Sequence, residues 1–160
     1  MQRVMIVSDT HKKLGNFMEA VDKEEKIDLI LHLGDVEGDE DIIRDFVDCE
    51  VIFVPGNNDY YSREPREREI VLAGKKILMT HGHLYYVSLD LYTIKEMGIS
   101  RGFDIVMFGH THKPVISVED EITLINPGSL SYPRQIDKKP TYIIMEIDDN
   151  NEISFNLKSI

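Results

Sequence analysis

The sequence predicts an α/β fold of two packed, mainly mixed β-sheets flanked by helices. Over the first third of the chain, apolar runs rich in β-branched residues alternate with amphipathic helical segments. A hairpin pattern follows, and short strand-like runs separated by turns make up the rest. The alternating part is typical of parallel strands covered by helices, whereas the later part indicates antiparallel pairing.

The first third is predicted to run β-α-β-α-β. Each strand is a short apolar run that ends in polar or turn-forming residues, and each helix has apolar side chains at helical spacing. Asp39 is suited to cap the second helix at its N-terminus. In order, the expected elements are a strand at Val4–Val7, a helix over 14–21, a strand at Asp28–Leu33, a helix over 42–47 and a strand at Val51–Val54.

The remainder is predicted to add a hairpin, a helix, a buried strand and a second, largely antiparallel sheet. The hairpin pairs Glu69–Leu72 with Lys75–Met79 around Ala73-Gly74. The expected elements after it are a helix over 89–97, a buried strand over 105–108, and sheet strands over 115–118, 122–125, 142–147 and 153–157.

Composition limits the class of protein. The 160 residues are 42% apolar and 29% charged, which predicts one globular domain over residues 1–160. The formal net charge of −11 argues against bulk nucleic-acid binding and against anionic membranes. Cys49 is the only cysteine, so no internal disulfide can form. With no signal sequence or membrane span in the pattern, we expect a cytoplasmic protein.

Residues of the metal-ligand type recur directly after the predicted strands. Because the carboxyl ends of parallel strands meet at one edge of a sheet, these loops should converge. Imidazole, carboxylate and amide oxygen together suit divalent metals of intermediate hardness, and the single cysteine excludes a cysteine-rich zinc site. The residues concerned are Asp9, His11, Asp35, Asn57, Asp59, His81, His83, His110 and His112.

Five ordered blocks in these loops resemble the calcineurin-like metallophosphoesterase superfamily. The blocks are Asp9-x-His11, Gly34-Asp35, Gly56-Asn57-x-Asp59, His81-Gly-His83 and Gly109-His110-Thr-His112, and the resemblance extends to the Asn126–Ser129 turn. Among the branches, the chain is most similar to the small single-domain bacterial and archaeal phosphodiesterases. The resemblance implies an αββα sandwich and metal-dependent hydrolysis of a small phosphodiester.

The same resemblance implies a site for two divalent ions and a metal-bridging hydroxide as nucleophile. Asp35 would bridge the ions. Mn²⁺ is the first expectation, with Zn²⁺, Fe²⁺ and Ni²⁺ as alternatives. The implied ligands are Asp9, His11 and His112 for one ion and Asn57, His81 and His110 for the other.

Three further residues are candidates for catalytic roles. Asn58 stands where many members of the superfamily have a histidine that protonates the leaving group, and an amide cannot deliver that proton. The chain should therefore prefer activated diesters such as aryl esters. Asp59 is expected to orient a neighbour. His83 could contact phosphate, shuttle a proton or lie exposed beside the site, whereas His32 is interpreted as a core or interface residue.

Two alternative functions remain open from the sequence. The fold also resembles the metallophosphoesterase-like subunit of the retromer coat, which serves as a scaffold, so a non-enzymatic interaction module is one alternative. A phosphomonoesterase or nucleotidase is the other, and Asn58 weakens it. The strand edges of a small domain are also consistent with a homodimer.

Overall fold

The computed structural model describes residues 1–160 and places two five-stranded sheets at the centre of the molecule. Helices flank them, so the fold is the predicted one of two mixed sheets with helices outside. The elements are β1 Gln2–Val7, α1 Gly15–Lys23, β2 Leu29–His32, α2 Glu40–Phe46, β3 Glu50–Phe53, β4 Glu67–Leu72, β5 Lys75–Thr80, a 3₁₀ turn His83–Tyr85, α3 Tyr92–Ser100, β6 Ile105–Met107, β7 Pro114–Val118, β8 Thr123–Pro127, β9 Thr141–Ile147 and β10 Ile153–Ser159.

The first sheet has the strand order β10-β9-β1-β2-β3. Strands β1, β2 and β3 run parallel, with Val4 opposite Leu29, as the alternating pattern predicts. Asp39 does occupy the N-cap position of α2, but its side chain makes no capping hydrogen bond.

The second sheet has the order β4-β5-β6-β8-β7. The β4–β5 hairpin is confirmed, but the prediction of a largely antiparallel sheet made from all four late strands is wrong. Strand β8 runs parallel to β6, and β9 and β10 complete the first sheet beside β1. Strand β9 is an inner strand between β10 and β1, and it is buried along almost its whole length because both of its faces are covered. An apolar pattern reports burial and does not identify the neighbours.

The core forms in three layers. Side chains from the facing sides of both sheets, such as Ile6, Met79 and Met145, make one cluster between the sheets. On β1 the alternate residue Met5 points the other way, under α1 and α2. Ile94 of α3 packs on the outer face of the second sheet. None of the helices combines the length and the apolar character needed to cross a membrane.

A buried carboxylate joins four elements at one side of the first sheet. The Glu24 side chain, at the end of α1, is only 3% exposed and lies 2.8 Å from Arg3 Nη2. It accepts hydrogen bonds from Tyr142 Oη at 2.8 Å and Lys158 Nζ at 2.9 Å. Burial alone would raise the pKa of Glu24, but these partners outweigh burial and lower it. The ionised carboxylate therefore stabilises the folded state.

Replacing this carboxylate, in Glu24→Gln, is expected to lower the free energy of unfolding by about 2 kcal/mol at pH 7, since charge-assisted hydrogen bonds are lost. The pKa of Glu24 is lower in the folded protein than its ordinary value of 4.5. The stabilisation that the ionised carboxylate provides is therefore fully present above pH 4.5 and is lost as the pH falls through the pKa of the folded state. Urea unfolding at pH 7 and at stepwise lower pH measures both effects. The matched control Glu19→Gln, on an exposed side of α1, should cost little. An equal cost for both variants would contradict the prediction.

Candidate metal centre

The loops after β1, β2, β3, β5 and β6 meet at one edge of the two sheets and bring all seven predicted ligands together. The backbone of this edge adopts a left-handed conformation at most of the predicted ligands. Five of the seven have a positive φ although none is glycine, and aspartate and histidine adopt this conformation more readily than most side chains. These five residues are Asp9, His11, Asp35, His110 and His112.

One group of ligand atoms is close enough to hold a single ion. Asp9, His11, Asp35 and His112 each offer an atom, and these atoms lie within 4.8 Å of one another. His112 Nε2 is 3.1 Å from Asp9 Oδ1, and His11 Nε2 is 3.3 Å from His112 Nε2. The grouping agrees with the set implied for the first ion, with Asp35 as the shared member.

A second group lies on the other side of Asp35. His81 Nε2 is 3.4 Å from Asp35 Oδ2, while His11 Nε2 is 3.6 Å from the same oxygen. The rings of His81 and His110 are 5.1 Å apart, and His110 Nδ1 is 3.0 Å from Asn57 Oδ1. Asp35 thus lies between the two groups of predicted ligands.

Backbone carbonyls fix the orientation of two of the histidines. His81 Nδ1 donates to the Leu33 carbonyl at 2.7 Å, and His112 Nδ1 donates to the Tyr132 carbonyl at 2.7 Å. In each case the Nε2 atom faces the carboxylates, on the side where a metal ion would bind. This arrangement is the usual second contact of a metal-binding histidine.

Two polar atoms at the centre of the site are buried without a hydrogen-bond partner. These atoms, Asp9 Oδ1 and His81 Nε2, lie 3.8 Å apart. Buried polar atoms are rarely left unpaired, so the pair requires an explanation. Divalent cations bound at this centre would satisfy the carboxylate oxygen and the imidazole nitrogen, and the residues present therefore fit metal ions.

The electrostatics of the site keep both carboxyl groups ionised. Burial would raise the pKa of Asp35, but the hydrogen bonds and charge of His81, with Asn58, lower it to about 2. The pKa of Asp9 falls below its usual range, since the neighbouring histidines outweigh its burial. In turn, burial would lower the pKa of His81, but Asp9 and Asp35 raise it to about 9. The site therefore attracts positive charge.

Asn58 and Asp59 both act on Asp35. The Asn58 backbone N–H and side-chain Nδ2 each donate to the Asp35 carboxylate at 2.9 Å. Asp59 accepts the backbone N–H groups of Asp35 at 2.8 Å, Gly56 at 2.7 Å and Glu37 at 2.6 Å. Asp59 thereby ties the loop after β2 to the loop after β3, consistent with an orienting role.

His83 faces a cleft of about 380 Å³ beside the second group, which Asn57, Tyr60 and Arg66 also line. Its ring lies 6.0 Å from that of His110, and its Nδ1 atom is buried without a partner. Burial, and then the charges of His81 and His110, lower the pKa of His83. The residue is thus beside the site, where a phosphate ester could reach it.

Sequence reasoning missed two residues that hold the site together. Glu37 Oε2 lies 3.0 Å from His11 Nδ1, and the loop at Tyr132 supplies the carbonyl for His112. Glu37 lies two residues after Asp35 in the sequence, and this short spacing could have identified it as a neighbour of the site. A backbone carbonyl has no such signal in the sequence, because every residue has one.

His32 is interpreted from the sequence as a core or interface residue, and the structure shows that it is a core residue. It is fully buried, and its Nδ1 accepts the Gly34 N–H at 3.2 Å while Nε2 donates to Thr10 Oγ1 at 3.0 Å. Burial lowers its pKa to about 4, which keeps the ring neutral.

Two packed mixed sheets with a histidine–carboxylate cluster at their edge define a class of protein with a candidate metal centre, and comparisons with known proteins identify the family. The model of the calcineurin-like phosphoesterase superfamily domain matches residues 2–150. A probable metallophosphoesterase of Methanocaldococcus jannaschii is 36% identical over 133 residues, covering 81% of this chain and 68% of the relative. A phosphodiesterase of the same organism is 29% identical, covering 79% and 82%. The chain belongs to the calcineurin-like phosphoesterase superfamily.

Solved structures show the same fold. A conserved protein of Streptococcus pneumoniae described as a predicted phosphoesterase aligns with a TM-score of 0.78 and 27% identity, covering 99% of this chain and 98% of that chain. The Vps29 protein of Entamoeba histolytica, in complex with Zn²⁺, also aligns with a TM-score of 0.78, covering 99% of each chain. At 20% identity this second likeness concerns the fold alone.

Proposed function

We propose that the protein is a metal-dependent phosphodiesterase that holds two divalent ions. The observation that carries the proposal is the pair of unpartnered buried atoms, Asp9 Oδ1 and His81 Nε2, which lie 3.8 Å apart in the cluster that includes Asp35. In the proposed division, Asp35 would be a ligand shared by both ions. Asp9, His11 and His112 would hold one ion, and Asn57, His81 and His110 would hold the other.

Divalent ions bound there would acidify the attacking water and neutralise charge that develops on the phosphate oxygens. The protein contributes the orientation of the ligands. The Leu33 and Tyr132 carbonyls hold two histidine rings, and Asn58 holds the Asp35 carboxylate. No protein nucleophile is required.

The reaction is hydrolysis at phosphorus. The oxygen of water bonds to phosphorus, the bond to one ester oxygen breaks, and its electron pair stays on that oxygen. One proton of the water passes, directly or through solvent, to the leaving oxygen. The products are a phosphomonoester and an alcohol or phenol. His83 faces this region and is a candidate for contacting the phosphate or moving a proton, whereas Asn58 can donate a hydrogen bond but no proton.

The direct test uses chelator-treated protein titrated with Mn²⁺, with bis(p-nitrophenyl) phosphate as the substrate. We expect turnover to rise with the metal and about two ions to be retained per chain by elemental analysis. Zn²⁺, Fe²⁺ and Ni²⁺ in place of Mn²⁺ then rank the metals. A folded, metal-loaded protein without turnover would overturn the proposal and favour the scaffold alternative.

Residue 58 is expected to set the preference for activated leaving groups, because Asn58 cannot supply a proton to the leaving oxygen. In Asn58→His we expect the ratio of activity on an alkyl phosphate ester to activity on the aryl diester to rise about tenfold or more, because a general acid assists poor leaving groups most. The control Asn58→Ala loses the same amide contact with Asp35 but gains no proton donor. Its ratio should therefore not rise. Equal ratios in all three proteins would count against this role for position 58.

A further inference from the structure

Free cations are concentrated at the metal edge of this acidic protein. Nine of its 18 lysine and arginine side chains form ion pairs with carboxylates. Eight of the other nine lie in four loops that contribute predicted ligands or contact them, over 8–14, 54–66, 108–113 and 128–140. The exception is Lys76, on β5. Because carboxylates are abundant elsewhere on the surface, this distribution favours the binding of an anionic ligand at the metal edge.

One of these cations lines a cleft together with two of the predicted ligands. The cleft measures about 500 Å³ and is lined by His11, Glu37, His112, Tyr132, Pro133 and Arg134. Arg134 is exposed, and its guanidinium has neither an ion-pair nor a hydrogen-bond partner. The Glu37 carboxylate in the same cleft already contacts His11 Nδ1 at 3.0 Å.

The backbone around Arg134 is held in place although its side chain is free. The Arg134 N–H donates to the His112 carbonyl at 2.9 Å. Ser131 Oγ donates to the Thr10 carbonyl at 2.6 Å, which attaches this loop to the loop after β1. Lys13 Nζ lies 4.3 Å from the centre of the Tyr132 ring and adds a second positive charge at the rim.

The reacting phosphodiester does not require this charge. Two divalent ions with the Asp9 and Asp35 carboxylates leave a surplus of two positive charges, which the single charge of a diester and an attacking hydroxide cancel. Arg134 is therefore available for another anionic group of the same substrate, and a guanidinium matches the geometry of a phosphate.

We propose that the cleft between His112 and Arg134 is an anion subsite, and that the substrate is a phosphodiester with a second phosphoryl group on one ester arm. This inference rests on the proposed phosphodiesterase function. It concerns how the substrate is recognised, and Arg134 acts in binding rather than in bond cleavage.

Equilibrium binding tests the subsite without turnover. Calorimetry on the Mn²⁺-loaded protein compares thymidine 3′,5′-bisphosphate with thymidine 5′-phosphate, which differ by one phosphoryl group. We expect the bisphosphate to bind about tenfold more tightly, as one charge-assisted contact allows. Arg134→Gln should reduce this preference to about twofold or less, and Arg134→Lys should restore part of it. The control Lys76→Gln removes the same charge far from the cleft and should keep the preference.

Kinetics on a matched pair of substrates then relates the subsite to catalysis. Thymidine 5′-(p-nitrophenyl phosphate), with and without a 3′-phosphate, has the same reacting phosphorus and the same leaving group. We expect kcat/KM to favour the 3′-phosphorylated ester by about tenfold in the wild type, and Arg134→Gln to abolish most of that ratio.

The outcomes separate the two proposals. Equal binding of the two nucleotides by the wild type overturns the subsite, and so does an equal loss of both in Arg134→Gln, which would place Arg134 on the shared phosphate. A binding preference that depends on Arg134, with no turnover of either ester, supports the subsite and overturns the phosphodiesterase proposal.

Discussion

Asp35→Asn is expected to reduce kcat/KM for an aryl phosphodiester by about a thousandfold. Loss of a partner that only orients a metal ligand costs about 10- to 100-fold, and a carboxylate shared by both ions should exceed that. Asp35 Oδ2 lies 3.4 Å from His81 Nε2 and 3.6 Å from His11 Nε2, so the substitution weakens both groups of ligands. Elemental analysis of the same samples should show fewer retained ions.

The matched control is Asp41→Asn on α2. Its side chain is 94% exposed and pairs only with Arg44, at 3.3 Å. Activity should stay within about twofold of the wild type, as for most exposed ion pairs. If Asp35→Asn keeps two ions and more than about a tenth of the activity, then Asp35 is not a shared ligand.

Gly34→Ala is expected to cost about 3 kcal/mol or more in the free energy of unfolding. Gly34 has a φ of +104°, and a Cβ there would lie 2.6 Å from Gly56 N and 2.7 Å from His81 Nδ1. The added methyl group therefore combines backbone strain with an overlap against another loop. Displacement of His81 from the Leu33 carbonyl should also weaken metal binding. Urea unfolding and metal titration measure the two effects.

Gly38→Ala provides the control for strain alone. Its φ of +98° is similar, but nothing lies within 4 Å of the added Cβ. It should cost about 1 to 2 kcal/mol, the usual range for such a conformation. A cost for Gly34→Ala no greater than this would show that the loops at Gly34 and Gly56 yield to the methyl group.

Local patterns in the sequence predicted the elements well, because burial and helical spacing depend on neighbouring residues. The β1 and β2 strands and the β4–β5 hairpin are examples. The partners of late strands were not predictable in this way. Strand β9 pairs with β1, although more than a hundred residues separate them in the chain, and no periodicity records that choice.

The same distinction applies to the site. Ligand-type residues that directly follow strands, such as Asp9 and His81, could be recognised because sheet edges collect the loops. The roles of Tyr132 and Arg134 could not be recognised in this way. Tyr132 contributes a backbone carbonyl, which any residue has, and whether the Arg134 guanidinium is unpaired depends on how the surrounding carboxylates are placed in the fold.

The seven candidate ligands come from both sheets. Asp9, His11, Asp35 and Asn57 follow strands of the first sheet, whereas His81, His110 and His112 follow strands of the second. Ions bound between them would act as a cross-link between two layers that otherwise adhere through the apolar core and a few hydrogen bonds, such as that of His81 Nδ1 to the Leu33 carbonyl. In the proposed metal-bound protein, metal occupancy and folding would be thermodynamically linked, so that removal of the ions would lower the free energy of unfolding as well as the activity.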